Sequence, residues 1–543
     1  MCMRAAPYST FTKDATQAPM AAKTSYDYIV VGGGTSGCAL AATLSQGAKV
    51  LLLERGDLPY GIPSVNTING FFETLANLGP TSASQTFVSE DGVVNQRARV
   101  LGGGSALNAG FYTRASGDFV SKAGWDSKLV KESYEWVEKK VAFEPKVLAW
   151  QEAVKEGLLE AGVLPNNGFT YEHIYGTKVG GSIFDRNGKR HTAANFLEYA
   201  DPSNITIYLN ATVHQLLFKT NELRARGVLY EDVEGKKHVA VLNEGSLMNE
   251  VIVSAGTLGS PQLLMLSGIG PSKHLTDQGI KVLFDQPMVG QGLSDNPMNI
   301  LLVPSHQPVE MSLIEVVGIT RFGSFIETAS SPINFTLLQN LGSKFGIFAN
   351  PDTSLEKLKR ILQHHHKLDL SGHNTGLILE KVTGPLSVGN LELVTKNPND
   401  NPKVRFNYFE DSRDLQACVE GMETILKVLE TKPLSKFRDP LLSVHDLLEL
   451  VVALPLNLRH RHVNAAFDLE QYCKDTVLTI WHYHGGCQVD RVVDRNYRVI
   501  GVGGLRVVDS STLLYSPGTN PQATMMMLGR YMGVKMLGER LKK

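Results

Sequence analysis

The chain runs to 543 residues, 43% hydrophobic and 20% charged, which is too long for one ordinary core and too apolar for a disordered chain. A formal net charge of −1 excludes the basic footprint of a nucleic-acid binder. The most apolar stretch, Leu447 to Leu456, is broken by Glu449 and Pro455, so no membrane span is expected.

Residues 1 to 23 carry Lys, Thr, Ala and Pro without an apolar period and are read as a flexible arm. Met1-Cys2-Met3-Arg4 lacks the apolar stretch of a signal peptide, so the chain as written reads as cytoplasmic. Tyr28-Ile29-Val30-Val31 is a strand-like run that stops at Gly32-Gly33-Gly34-Thr35-Ser36-Gly37. A small-residue helix follows from Cys38 to Gln46, and then a second apolar run, Val50 to Leu53, ends in Glu54. That order is the pattern of a dinucleotide site. The glycines allow a tight turn and close approach to a pyrophosphate, which sits at the helix N-terminus. Glu54, about 20 residues beyond the first glycine, accepts hydrogen bonds from ribose hydroxyls and repels a 2′-phosphate, which disfavours NADP. The motif alone does not separate NAD from FAD.

A second glycine-rich segment, Arg99 to Asn108, again allows close approach to phosphate or to a flat ring. Glycosylation sequons at Asn204, Asn210 and Asn334 favour secretion weakly. Val251-Ile252-Val253-Ser254-Ala255-Gly256 reads as another buried strand, running into Thr257 to Gly270, which ends in Ser267-Gly268-Ile269-Gly270-Pro271. His364-His365-His366 and Arg459-His460-Arg461-His462 read as solvated polar stretches. Ile480-Trp481-His482-Tyr483-His484-Gly485-Gly486 places two histidines at strand spacing without a third ligand at a recognised separation, and no Cys-x-x-Cys pair occurs; no metal is expected. Gly504 to Asp509 reads as a late strand. Asn520, before Pro521, suits the cap of a last helix in which Met525 to Met527 are core.

Together these segments resemble the glucose–methanol–choline oxidoreductase family from about Asp27 to Leu537, in its plant branch of HOTHEAD-like proteins and hydroxynitrile lyases. The resemblance implies an α/β fold in which a Rossmann-like FAD domain (24–125, 180–297 and 478–543) is interleaved with an antiparallel-sheet α+β substrate domain (126–179 and 298–477). It implies FAD against Gly32, Gly34, Thr35, Ser36, Gly37, Glu54 and Arg55, then against Val100, Gly103, Ser105, Asn108 and Ala109. Val213 would touch adenine through its backbone, and Asp509 the ribityl–phosphate region. Trp481, His482, Asn520, Pro521 and Gln522 would lie by the flavin ring. In this likeness His482 takes the substrate hydroxyl proton while hydride leaves for flavin N5, and Asn520 holds the alcohol oxygen; His484 is structural. Leu107 stands where some members attach flavin through histidine, so non-covalent FAD is expected. Gly292-Leu293-Ser294-Asp295-Asn296 departs from the Asp-His that many members carry.

The plant lyases imply a disulfide between Cys418 and Cys473 and a secretory route, with a leader beyond this sequence. The implied activity is oxidation of a small-molecule alcohol, a long-chain or ω-hydroxy fatty alcohol in HOTHEAD-like members, by a monomer. The alternative is a mandelonitrile lyase with non-redox FAD. Those lyases carry histidine where this chain has Asn520. A flavin-bound protein without catalysis is disfavoured by His482 and Asn520.

Overall fold

The computed structural model describes residues 7–19, 24–77, 79, 81–305, 307–332, 374–454, 456–518 and 520–541. Runs such as Tyr28–Val31, Val50–Leu53 and Glu250–Val253 are buried at every position, as strands covered on both faces must be. They form the centre of a six-stranded sheet in the order Thr12–Asp14, Ile205–Leu209, Val50–Leu53, Tyr28–Val31, Glu250–Val253, Leu505–Val507. Every neighbouring pair is parallel. The helix Gly37–Leu44 is wholly buried against this sheet and the last helix, Gln522–Leu541. The two helices cross closely: a Cβ on Gly529 would stand 2.2 Å from the Ser36 carbonyl oxygen. Met525, Met526 and Met527 lie in this core.

The arm expected over residues 1 to 23 is corrected over 7–19. Thr12–Asp14 pairs with Ile207 to Leu209 as an edge strand, and Tyr8 and Ala15 are fully buried. Three residues joined through their backbones leave no apolar period to read.

A second layer is a seven-stranded sheet ordered Leu478–Thr479, Pro297–Pro304, Asn374–Val382, Ser324–Pro332, Val316–Ile319, Gly176–Val179, Asn166–Phe169. Its pairs are antiparallel except the last. The helices Ala149–Glu160 and Ser412–Glu430 pack on it, whereas Ser127–Val141 packs on the last helix of the parallel layer. Thus an α/β body with a parallel sheet and a mainly antiparallel α+β body are threaded through each other by the chain. Among the described residues no helix is long and apolar enough to cross a membrane.

Cys418, on Ser412–Glu430, is disulfide-bonded to Cys473 on Leu469–Thr476. Cys38 and Cys487 are buried thiols. Replacing both bonded cysteines with serine is expected to cost about 2–4 kcal/mol, read as a lower denaturant midpoint. An unchanged midpoint would show that the crosslink contributes nothing.

The stretch Arg459 to His462 is solvated in part: His460 and His462 are exposed, as expected, while the two arginines are half-buried. Arg459 donates to the carbonyls of Asp91 (2.9 Å) and Lys474 (2.7 Å), and Arg461 donates to Asn457 Oδ1 (2.7 Å) and the Asp475 carbonyl. They pin loops rather than face solvent. The sequon amides of Asn204 and Asn210 are also engaged, donating to Asp201 Oδ2 (3.0 Å) and Asp14 Oδ2 (2.7 Å). Asn334 and His364 to His366 lie outside the described residues.

Candidate active site

The phosphate turn sits where the first strand ends. Gly32 has φ +103°, and a Cβ there would stand 2.3 Å from the Ser254 carbonyl oxygen; one on Gly37 would stand 2.0 Å from the Gly32 carbonyl oxygen. The helix Gly37–Leu44 starts with no side-chain cap; Cys38 N–H donates to the Gly34 carbonyl at 3.1 Å, and the positive end of the helix is turned to where an anion would sit over the turn. The second glycine segment docks on the first: Gly102 N–H donates to the Gly33 carbonyl at 2.7 Å. Gly103 has φ +57°, and a Cβ there would meet Gly34 Cα at 2.7 Å. By contrast, Gly34 and Thr35 are only half-buried, and a Cβ on Gly34 would find nothing nearer than 3.9 Å.

Glu54 is buried at the end of the second strand. Its carboxylate accepts from the N–H of Gly33 (2.9 Å) and of Gly56 (2.8 Å). Burial raises its pKa, and these amides, with Arg55, pull it back. Val213 is brought near by Ala211, whose N–H donates to the Glu54 carbonyl at 2.9 Å. A carboxylate, an uncapped helix start and two glycine turns too tight for side chains make a cradle that fits a dinucleotide.

Other expected contacts have their side chains committed elsewhere. The Asp509 carboxylate accepts from Gly256 N–H (2.9 Å), Ser260 Oγ (2.5 Å) and Ser511 N–H (2.8 Å). It caps the helix Gly256–Leu266, and the expected ribityl–phosphate contact has no free carboxylate oxygen to use. Gln522 accepts from Asn108 Nδ2 (2.9 Å) and donates to the Phe111 carbonyl (2.6 Å). Arg55, lowered to about 10 by burial, donates to Gln85 Oε1 and the Ala98 carbonyl, both at 2.8 Å. Ser105 Oγ donates to the Gly102 carbonyl (2.6 Å), and Ser36 Oγ to the Met525 carbonyl (2.9 Å). Val100 is buried, and Ala109 packs beside Phe111.

The chemistry-bearing residues converge where the two bodies meet. Thr479 ends the edge strand of the antiparallel sheet, and Trp481 follows with φ +58°, a backbone state that a bulky residue adopts only when its surroundings impose it. What imposes it is Asp295. This buried carboxylate accepts from Thr479 Oγ1 (2.6 Å), Tyr408 Oη (2.6 Å) and His482 N–H (2.9 Å). Burial lifts Asp295 to about 7 against those donors. Trp481 is left 37% exposed, while His482 is 9% exposed, its buried Nδ1 without a partner among the described residues.

The His482 imidazole is held well below its ordinary range, first by burial, then by Lys381 and His484. It is a weaker base than a free imidazole and stays neutral further into acid. His484 Nδ1 faces the His482 carbonyl at 3.1 Å, burial lowers it to about 4, and its Nε2 has no partner among the described residues. Asn520, half-buried before the last helix, accepts at Oδ1 from Lys381 Nζ at 3.3 Å.

Sequence reasoning missed Lys381, Glu327 and His173, and met Asp295 only within a segment that departs from a family motif, without a role. The His173 ring lies parallel to Phe325 at 6.5 Å, and burial takes it to about 4. It also lines a cavity of about 190 Å³ that opens outward past Tyr175, Arg321, Tyr515 and Gly518. None of the four carries a motif; each acts through partners distant in the chain.

Two models described as GMC oxidoreductase match the chain, at residues 26–298 and 385–529. The chain is 50% identical to Protein HOTHEAD of Arabidopsis thaliana, over 95% of this chain and 89% of that protein. An (R)-mandelonitrile lyase-like protein of the same plant is 45% identical (98% and 93% covered), and sinalpyl alcohol oxidase Nec3 of Nesocodon mauritianus is 43% identical (95% and 89%). In three dimensions a formate oxidase variant from Aspergillus oryzae RIB40 superposes with a TM-score of 0.76 at 18% identity, covering 96% of this chain and 99% of its own. That likeness shows the fold.

Proposed function

The chain belongs to the GMC oxidoreductase family and is an FAD-dependent oxidoreductase, and on that premise we propose that it oxidises a primary or secondary alcohol with His482 as base and Asn520 as the anchor of the alcohol oxygen. FAD, when bound, supplies the acceptor for the carbinol hydride. The observation that carries the reading is a buried imidazole, held well below its ordinary range by burial first and then by Lys381, the same lysine that donates to Asn520 Oδ1. Burial keeps the lone pair of His482 free of a proton at neutral pH, so it can take the hydroxyl proton as the C–H bond breaks. Asn520 fixes the oxygen so that the C–H bond has one orientation.

Leu107 offers no nucleophile, and FAD is held without a covalent bond in this reading; acid precipitation should release the yellow colour to the supernatant. The disulfide supports a secretory route, because such bonds are reduced in the cytosol.

The test is anaerobic addition of long-chain and aromatic primary alcohols, with mandelonitrile in parallel, to the purified holoenzyme. Bleaching of the flavin's visible absorbance by an alcohol is expected. Release of benzaldehyde and cyanide, with no alcohol able to bleach the flavin, would replace the reading with the lyase activity named for some relatives. The pH dependence has a fixed sign. Because the folded imidazole lies below the ordinary 6.5, the base form persists as pH falls through that value. The reduction rate should therefore stay flat through pH 6.5 and fall only in stronger acid. An inflection at or above 6.5 would contradict the buried-imidazole account.

A further inference from the structure

Lys381 and Glu327 are fully buried charges beside the proposed site, and the mechanism above gives them no role. Lys381 lies on Asn374–Val382, in register with Phe325 of the neighbouring strand; Glu327 is two residues along that strand and so shares its face. Lys381 Nζ donates to Glu327 Oε1 at 3.0 Å, both side chains being 0% exposed, and stands 4.3 Å from the centre of the Phe325 ring. Its remaining named contact is Asn520 Oδ1.

We propose that Lys381, held by Glu327, is a positioning residue that fixes the amide of Asn520 so that its NH2 group faces the substrate oxygen. The inference rests on the alcohol-oxidation reading. An amide's oxygen and nitrogen are hard to tell apart by shape, yet here the chemistry decides. An ammonium has three donors and no acceptor, so the Asn520 atom that faces it must be the carbonyl oxygen. Nδ2 therefore points away from Lys381, and no hydrogen bond from it to a described residue is formed. Asn520 thus donates to the alcohol oxygen and supports negative charge there as His482 takes the proton. A lone buried ammonium is very costly, and Glu327 offsets that cost. The charge of Lys381 also bears on His482, but its link to Asn520 is one hydrogen bond, and the coupling measured by a double-mutant cycle isolates that link.

The proposal is tested by a double-mutant cycle on the holoenzyme. Lys381→Met with Glu327→Gln removes both charges together, so that no orphan carboxylate is left, in the native chain and in Asn520→Ala. Two readouts are taken. One is the limiting rate of anaerobic flavin reduction by a primary alcohol. The other is the dissociation constant of 2-phenylpropan-2-ol, a tertiary alcohol with no carbinol hydrogen, from the flavin difference spectrum. With Asn520 present, loss of the pair should slow reduction about tenfold and weaken tertiary-alcohol binding about three- to tenfold; with Asn520→Ala, each change should be under about twofold. Equal losses in both backgrounds would make the pair merely structural and overturn the proposal.

Asn520→Asp keeps the acceptor for Lys381 and removes the donor, and it does not depend on the buried pair being replaceable. It should bind the tertiary alcohol as weakly as Asn520→Ala does; binding at the native level would overturn the proposal. If no primary alcohol reduces the flavin, the oxidation reading fails by itself, and the tertiary-alcohol cycle still decides the role of Lys381.

Discussion

His482→Ala is expected to slow anaerobic flavin reduction by about 10²–10⁴, the usual worth of a positioned general base, while FAD content and thermal midpoint stay near native. The two halves of that expectation have separate structural grounds. The bond that seats residue 482 on Asp295 runs through its backbone N–H, which alanine keeps. Nδ1 has no partner among the described residues, so truncation orphans no hydrogen-bonding group on the protein side. The glycine turns proposed to cradle the cofactor belong to other segments. What alanine removes is the lone pair proposed to receive the hydroxyl proton. Asn520→Ala should slow the same step less, because the base remains. A loss below about threefold in His482→Ala would transfer the base role to another group and leave His482 as packing.

The parallel sheet was legible because its strands are covered on both faces and therefore read as unbroken apolar runs, and its glycines stand where a Cβ has no room. Little of the antiparallel sheet was legible. Its strands carry Lys178, Glu327, Glu380 and Lys381, all buried, and charged residues in a strand read as a solvent face. Thr12–Asp14 was missed for the opposite reason: three residues paired by backbone alone carry no pattern. At the site, His482 and Asn520 came from the family likeness, and in the structure Lys381 donates to Asn520 and lowers the His482 imidazole. Asp509 and Gln522 also came from that likeness, but their side chains close hydrogen bonds within the protein. Asp295 was noticed only as a departure from a motif, whereas it organises the turn that delivers His482. A residue that acts on chain some 200 positions away leaves no local spacing to find: Asp295 and His482 are separated by 187 positions.

Gly37→Ala is expected to yield protein without flavin and with a lower thermal midpoint. The added carbon would stand 2.0 Å from the Gly32 carbonyl oxygen, and the next atom is again backbone. No side chain can swing aside, so the turn or the helix start must move. Gly32 cannot follow freely, since its own Cα approaches the Ser254 carbonyl too closely for any Cβ. The helix N–H groups proposed to face the pyrophosphate would then be misplaced, and the stabilisation a saturating cofactor lends the folded state, about 3–4 kcal/mol at 100 to 1,000 times Kd, would go with them. Misfolding alone could produce the same loss, and Gly34→Val separates the two. A Cβ at Gly34 meets no protein atom closer than 3.9 Å, so this variant should fold with a native far-ultraviolet spectrum. Its side chain would enter the space over the turn that the dinucleotide is expected to fill. FAD affinity should fall at least tenfold, the change that 1.4 kcal/mol of lost contact produces. Native FAD affinity in folded Gly34→Val would place the pyrophosphate away from this turn, and the assignment of Gly32 to Gly37 as its cradle would fall.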